Sequence, residues 1–154
     1  MGLFGRKKEN FVSPMGGRLI AIEEVPDEAF SSKMLGDGFA IEMTDGRVAA
    51  PFNGEVTAAF PTGHAYGLKR DDGLECLIHI GMDTVQMNGN GFDVKVKAGD
   101  RVAKGETLVN VDIEQVKLCG KSLISPVVFT NGEVPRLLKE GDTVAVGEED
   151  ILKF

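Results

Sequence analysis

The stretch "GLECLIHIGMDTV", residues 73–85, sets the period of the chain. Leu74, Cys76, Ile78 and Ile80 alternate with Glu75, Leu77, His79 and Gly81. In a β-strand successive side chains point to opposite faces. One face is therefore wholly apolar. The other carries a charge, a histidine and then a glycine that leaves open space. A histidine serving as core belongs on the first face, and His79 falls on the second.

Outward from this strand the pattern repeats. Apolar-rich runs at 18–25, 38–43, 47–52, 54–60, 93–98, 107–112, 126–130, 143–146 and 150–154 are short, and glycine, proline or Asp-Gly signals separate them. This punctuation predicts an all-β fold, an antiparallel β-sandwich or barrel-like sandwich of short hairpins with one or two short helical turns, rather than a βαβ fold. Glycine at 20 of 154 residues is roughly twice the average usage and agrees with many tight turns. The one helical segment is "DIEQVKLC" (112–119), with Asp112 as N-cap and Gly120 as the stop.

Two weak internal echoes are present. "GDRVAKGETLVNV" (99–111) shares its Gly-Asp-x-Val-x-x-Gly start with "GDTVAVGEEDILKF" (141–154), and "SPMGGRLIAI" (13–22) echoes "APFNGEVTAAF" (50–60). The spacings differ, so this is no solenoid. Paired hairpins of this sort are similar to the biotinyl/lipoyl-like sandwich, in which two like halves face each other. The carrier lysine beside a methionine in a hairpin tip is missing: Lys33–Met34 sits in an apparent loop. Covalent biotin or lipoate is not expected, and no cofactor is called for.

The length fits one domain with a real core, assigned to residues 11–154. A net charge of −7 and a pI near 4.9 argue against a nucleic-acid surface and for a basic protein partner. Cys76 and Cys119 are too few for a disulfide framework, which favours a reduced, cytoplasmic protein. No run approaches the ~18 apolar residues of a transmembrane helix. Residues 1–10 are expected to be a flexible tail. "MGLFGRKK" lacks the order of a secretory signal and has Arg6 where myristoylation needs Ser or Thr, leaving at most weak membrane contact through residues 1–8.

The only other histidine is His64, in "FPTGHAYG" (60–67). If 60–67 and 74–80 pair antiparallel about the turn "KRDDG" (69–73), a turn centre near residue 71 or 72 makes partner numbers sum to about 143, which is 64 + 79. The two histidines would then stand directly opposite, about 5 Å apart at Cβ. Facing imidazoles can ligate zinc with a third protein ligand, and Asp83 offers a His-x-x-x-Asp spacing. Alternatively one is a nucleophile and the other stabilises developing charge, since an unprotonated imidazole nitrogen is available near neutral pH. Phosphoryl transfer asks for little more than that positioning. Thr62, two residues before His64, is placed to hold its second ring nitrogen. No phosphate-cradling glycine loop is present, "GNGF" (89–92) being too short, so a phosphoryl group would arrive on a partner.

Several blocks, in order and covering nearly the whole chain from residue 11, carry a resemblance: "VPDEAFSSKMLGDGFAI" (25–41), "FPTGHAYG" (60–67), "LIHIGMDTVQMNGNGF" (77–92) and "SPVVFTN" (125–131). Together they resemble the glucose-type IIA domain of the bacterial phosphoenolpyruvate:sugar phosphotransferase system. The resemblance implies that His79 accepts a phosphoryl group from phospho-HPr and passes it to a cysteine of a IIB domain during sugar uptake. It further implies that His64 is needed for onward transfer and that Thr62 orients it. Asp27 and Asp83 match acidic residues that face an arginine of HPr. Phe30, Met34, Leu35, Phe60 and Leu77 match an apolar collar, with Phe30 and Leu35 expected to be exposed in a loop. Leu77 stands where some members carry phenylalanine, and Gly63 replaces a bulkier residue. In some lineages the domain regulates other proteins, and His64 and His79 can bind zinc with a partner's carboxylate. Two rival readings remain: a zinc-dependent hydrolase using His64, His79 and Asp83, and a purely regulatory binding module.

Overall fold

Phe11 opens the stretch described by the computed structural model, residues 11–154, and it is already core. Its ring packs edge-on against Phe129 at 5.5 Å and Phe39 at 6.0 Å, geometries that aromatic pairs prefer. The flexible tail and membrane contact expected of residues 1–10 lie outside the described residues.

The strands follow the alternation read from the sequence. In chain order they are β1 (Gly17–Ala21), β2 (Asp37–Met43), β3 (Arg47–Ala49), β4 (Gly54–Ala59), β5 (Ala65–Arg70), β6 (Glu75–His79), β7 (Phe92–Val94), β8 (Arg101–Val102), β9 (Thr107–Val111), β10 (Ile124–Phe129), β11 (Arg136–Leu137), β12 (Thr143–Val144) and β13 (Leu152–Lys153). Among the described residues the main sheet has the order β12-β1-β2-β10-β6-β5-β4-β8, all antiparallel, and β3-β9-β7 forms a smaller one. The main sheet is open, so the barrel alternative gives way to a sandwich. The predicted run 18–25 splits, because β1 ends at Ala21 and the chain turns into a 3-10 helix, Ile22–Glu24. Of the run 93–98 only Asp93 and Val94 lie in β7, and the two-residue strands β8 and β11 fall outside the predicted runs.

The helix expected at 112–119 is α2 (Ile113–Leu118), with the Asp112 carboxylate accepting from Gln115 N at 3.1 Å. A further turn, α1 (Glu28–Ser31), lies where a loop was expected, and Asp27 caps it by accepting from Ala29 N at 2.9 Å. An N-cap aspartate takes one of the orphan amides of a first turn.

The sequence echoes are structural. Leu19 N donates to Asp142 O and Val56 N to Asp100 O, at 2.9 and 2.8 Å. Gly141 N returns to Leu19 O and Gly99 N to Val56 O, at 2.7 and 2.8 Å. Gly147 N reaches Ser13 O and Gly105 N reaches Ala50 O, both at 2.8 Å. The eight-stranded order therefore reads as two matched halves, β12-β1-β2-β10 and β8-β4-β5-β6. They meet where β10 pairs with β6, with Val127 opposite Ile78. His79 ends β6 at that central junction.

Candidate active site

The β5–β6 hairpin brings the histidines together, though by a route different from the one expected. Arg70 N donates to Leu74 O at 2.8 Å, closing a loop of Asp71, Asp72 and Gly73 in which Gly73 takes φ +102°. The turn therefore centres on Asp72, and partners sum to 144: Lys69 faces Glu75, and Ala65 faces His79. Direct opposition of His64 and His79 is not formed. His64 precedes β5, and its carbonyl accepts from Ile80 N at 2.7 Å. Regular alternation would put its side chain on the other face. Gly63, at φ +75°, interrupts the strand just before it, after a turn in which Gly63 N donates to Phe60 O at 2.8 Å. The imidazoles end 5.2 Å apart between centroids, at 79°. A Cβ on residue 63 would lie 2.7 Å from Val94 Cγ2, so packing also favours glycine here.

The histidines are the middle of a row of four rings. Phe30 meets His79 at 5.3 Å and 60°, and Phe60 meets His64 at 5.3 Å and 74°. Each imidazole has one nitrogen engaged. His79 Nδ1 donates to Gly81 O at 2.8 Å; a carbonyl only accepts, so Nδ1 carries the proton and Nε2 keeps its lone pair. His64 Nδ1 and Thr62 Oγ1 share a 2.6 Å hydrogen bond, in which the hydroxyl is able to donate or accept.

Both imidazoles are held below the usual histidine range. For His64 the main cause is burial, followed by the charge of His79. For His79 burial outweighs three opposing influences: the Gly81 carbonyl, then Asp27 and Asp83. Desolvation disfavours the cation, so the neutral form that can act as a nucleophile dominates. The carboxylates of Asp27 and Asp83 thus reach His79 as charge. Asp83 sits at φ +61°, heading the 3-10 helix Thr84–Met87.

The apolar residues divide. Met34 is 74% exposed, Phe60 45% and Leu35 41%, while Leu77 is half-buried. Phe30 corrects the expectation of an exposed loop residue. It is 5% exposed, sits in α1, and packs in a cluster with Ile20, Ile22, Val25, Ala40, Met82 and Val128. Val85 and Ser125 fall inside the blocks that carry the resemblance but have no role assigned there: Val85 is 47% exposed in the 3-10 helix that Asp83 heads, and Ser125 reaches the site across 44 residues of chain. Cys76 faces the core side of β6, 2% exposed, and burial pushes its thiol up to about 12. The zinc-hydrolase triad does not assemble: among the described residues no three His, Cys, Asp or Glu side chains converge to hold a metal.

Residues 9–134 match the profile of the phosphoenolpyruvate-dependent sugar phosphotransferase system, EIIA 1. This chain belongs to that family. It is a IIA phosphocarrier of the sugar phosphotransferase system, a phosphotransferase component. The PTS system glucose-specific EIIA component of Staphylococcus epidermidis is 42% identical over 157 aligned positions, covering 97% of this chain and 95% of that protein. Its counterpart from Staphylococcus aureus strain COL is 43% identical with the same coverage. The glucose permease IIA from Mycoplasma capricolum superposes with a TM-score of 0.88 at 39% identity, covering 97% of both chains. Among the described residues, no helix is long and apolar enough to cross a membrane.

Proposed function

We propose that His79 is the phosphoryl acceptor, taking the group from phospho-HPr on Nε2 and releasing it to a cysteine of a IIB domain, in the cytoplasm. The observation that carries this reading is the His79 Nδ1 hydrogen bond to Gly81 O. It holds the proton on one nitrogen and leaves the other as the nucleophile. The Nε2 lone pair forms the new N–P bond as the bond from phosphorus to the donor breaks, that electron pair leaving with the donor. No proton has to depart. Positive charge that develops on the ring is stabilised by the carbonyl already facing Nδ1.

His64 is the second member of the pair. With Thr62 Oγ1 donating to its Nδ1, its Nε2 carries a proton to offer the phosphoryl oxygens, where charge accumulates during transfer. Asp27 and Asp83 form an acidic rim for a basic partner, which governs encounter rate and register. Met34, Leu35, Phe60 and Leu77 form the apolar collar that excludes water from the transferring group.

Labelling with enzyme I, HPr and radiolabelled phosphoenolpyruvate tests the reading. The parent protein should carry acid-labile phosphate on the peptide containing residues 73–85, and His79→Ala should carry none. Labelling that persists in His79→Ala would overturn it.

A further inference from the structure

Behind His79 the backbone is gripped from a distant part of the chain. Gly81 has φ +67° and is buried. Its N–H donates to Ser125 Oγ at 2.8 Å. Ser125 is itself fully buried and donates to Leu123 O at 3.0 Å, which commits its hydroxyl proton and turns a lone pair toward Gly81. The next peptide is held as well: Met82 N donates to Ser122 O at 3.1 Å. The Ile80 carbonyl accepts from Thr84 Oγ1. Both peptides flanking the Gly81 Cα are thus fixed, and the carbonyl of the second is the one that accepts the hydrogen bond from His79 Nδ1.

We infer that Ser125 is a positioning residue for phosphoryl transfer: by holding the Gly81 N–H it aims the Gly81 carbonyl at His79 Nδ1 and so keeps Nε2 as the nucleophile. The inference rests on the reading of His79 as acceptor. The chemistry is that of an outer partner fixing the tautomer of a functional imidazole, a role whose loss typically costs about tenfold to a hundredfold where it has been measured at metal sites. The hydroxyl is suited to this task because it accepts and donates at once, and its own donor is spent on a backbone carbonyl. Space is no substitute for the bond. A Cβ on residue 81 would lie 2.5 Å from Ser122 O and 2.7 Å from Thr84 Cγ2, so the segment leaves room only for glycine and depends on hydrogen bonds to set its orientation.

The test compares Ser125→Ala, Ser125→Cys and Ser125→Thr with the parent. One readout is transfer from phospho-HPr. The second is the tautomer of neutral His79 from the ring nitrogen and carbon-bound proton correlations of 15N-labelled protein, which needs no donor. Ser125→Ala and Ser125→Cys, the latter keeping volume with a weak acceptor, are expected to lose about tenfold in transfer and to show a mixture of Nδ1–H and Nε2–H forms. Ser125→Thr is expected to restore both. Ser13→Ala, which removes another fully buried serine hydroxyl, one bonded to Met15 O, controls for general loosening and should keep the parent tautomer. Should Ser125→Ala fail to fold, Ser125→Cys decides. A pure Nδ1–H tautomer in the folded variants would overturn the inference, even alongside slower transfer. An unlabelled parent protein would instead refute His79 as acceptor, while the tautomer comparison would still decide whether Ser125 positions the ring.

Discussion

His64 and His79 meet edge to face at 5.2 Å, yet they are not cross-strand partners; the residue opposite His79 is Ala65. The contact depends on a break in strand geometry at Gly63 rather than on the pairing itself. Each ring is also held from behind, by Thr62 or by the Gly81 carbonyl. In the proposed roles both imidazoles act through Nε2, His79 with a lone pair and His64 with a proton. Removing them should therefore have different consequences.

His64→Ala should still accept phosphate on His79 and should lose about a hundredfold or more in transfer to a IIB acceptor, the scale of losing one preorganised donor. Thr62→Val, which keeps the shape and deletes the hydrogen bond, should lose about tenfold to a hundredfold in the same step. Quench-flow with pre-phosphorylated protein measures both. Equal losses in acceptance and release would show that the two histidines are not specialised.

Both histidines should titrate below the ordinary value of 6.5. Their neutral forms are favoured in the folded state, so the stability they contribute is present above pH ~6.5 and is lost as pH falls from there through the folded values. Carbon-bound ring proton shifts against pH report each midpoint. In His79→Gln the His64 midpoint should rise, because the charge of His79 is one of its two depressing influences. It should stay below 6.5, because burial is the larger.

Two glycines with positive φ should respond differently to alanine. Gly73, at φ +102°, has open space where a Cβ would go, so Gly73→Ala should cost only the conformational penalty, about 1–2 kcal/mol. Gly81→Ala adds a collision with the Ser122 carbonyl at 2.5 Å and should cost about 3 kcal/mol or unfold the protein. Denaturant unfolding ranks them, and similar costs would contradict the account of the Gly81 turn.

Phe30 and Met34 separate packing from docking. Phe30→Ala empties a buried site and should destabilise by about 3–5 kcal/mol. Met34, 74% exposed, should tolerate glutamate within about 0.5 kcal/mol while raising the KM for phospho-HPr. Thermal unfolding together with donor titration distinguishes the two. A Met34→Glu protein with parental KM would remove that residue from the docking surface.

Much of the architecture was legible because a strand writes its period into the chain. The alternation around His79 placed Leu74, Cys76, Ile78 and Ile80 in the core, where they are. The Gly-Asp-x-Val-x-x-Gly echo marked two hairpins that make the same hydrogen bonds at opposite ends of the sheet. Register was harder. Whether a turn centres on residue 71 or 72 is decided by the Arg70–Leu74 closure and the left-handed Gly73, and one residue of error reverses a strand's faces. The short helix at Glu28–Ser31 escaped because its cap, Asp27, had been read only as a charge for a partner. Ser125 left no local mark: its partner is Gly81, and such a link appears only once β10 has folded beside β6.

The opposite face of β6 has a chemical consequence of its own. A carrier that hands its group to a thiol, as proposed here, risks handing it to its own. Cys76 lies three residues before His79 on the same strand, close enough in sequence for a short circuit. Strand alternation turns it away from the reacting side. Burial then holds it protonated at neutral pH, its thiol near 12, where almost no thiolate exists to attack phosphorus. The pleat of a single strand thus insulates the relay from a leak into its own core.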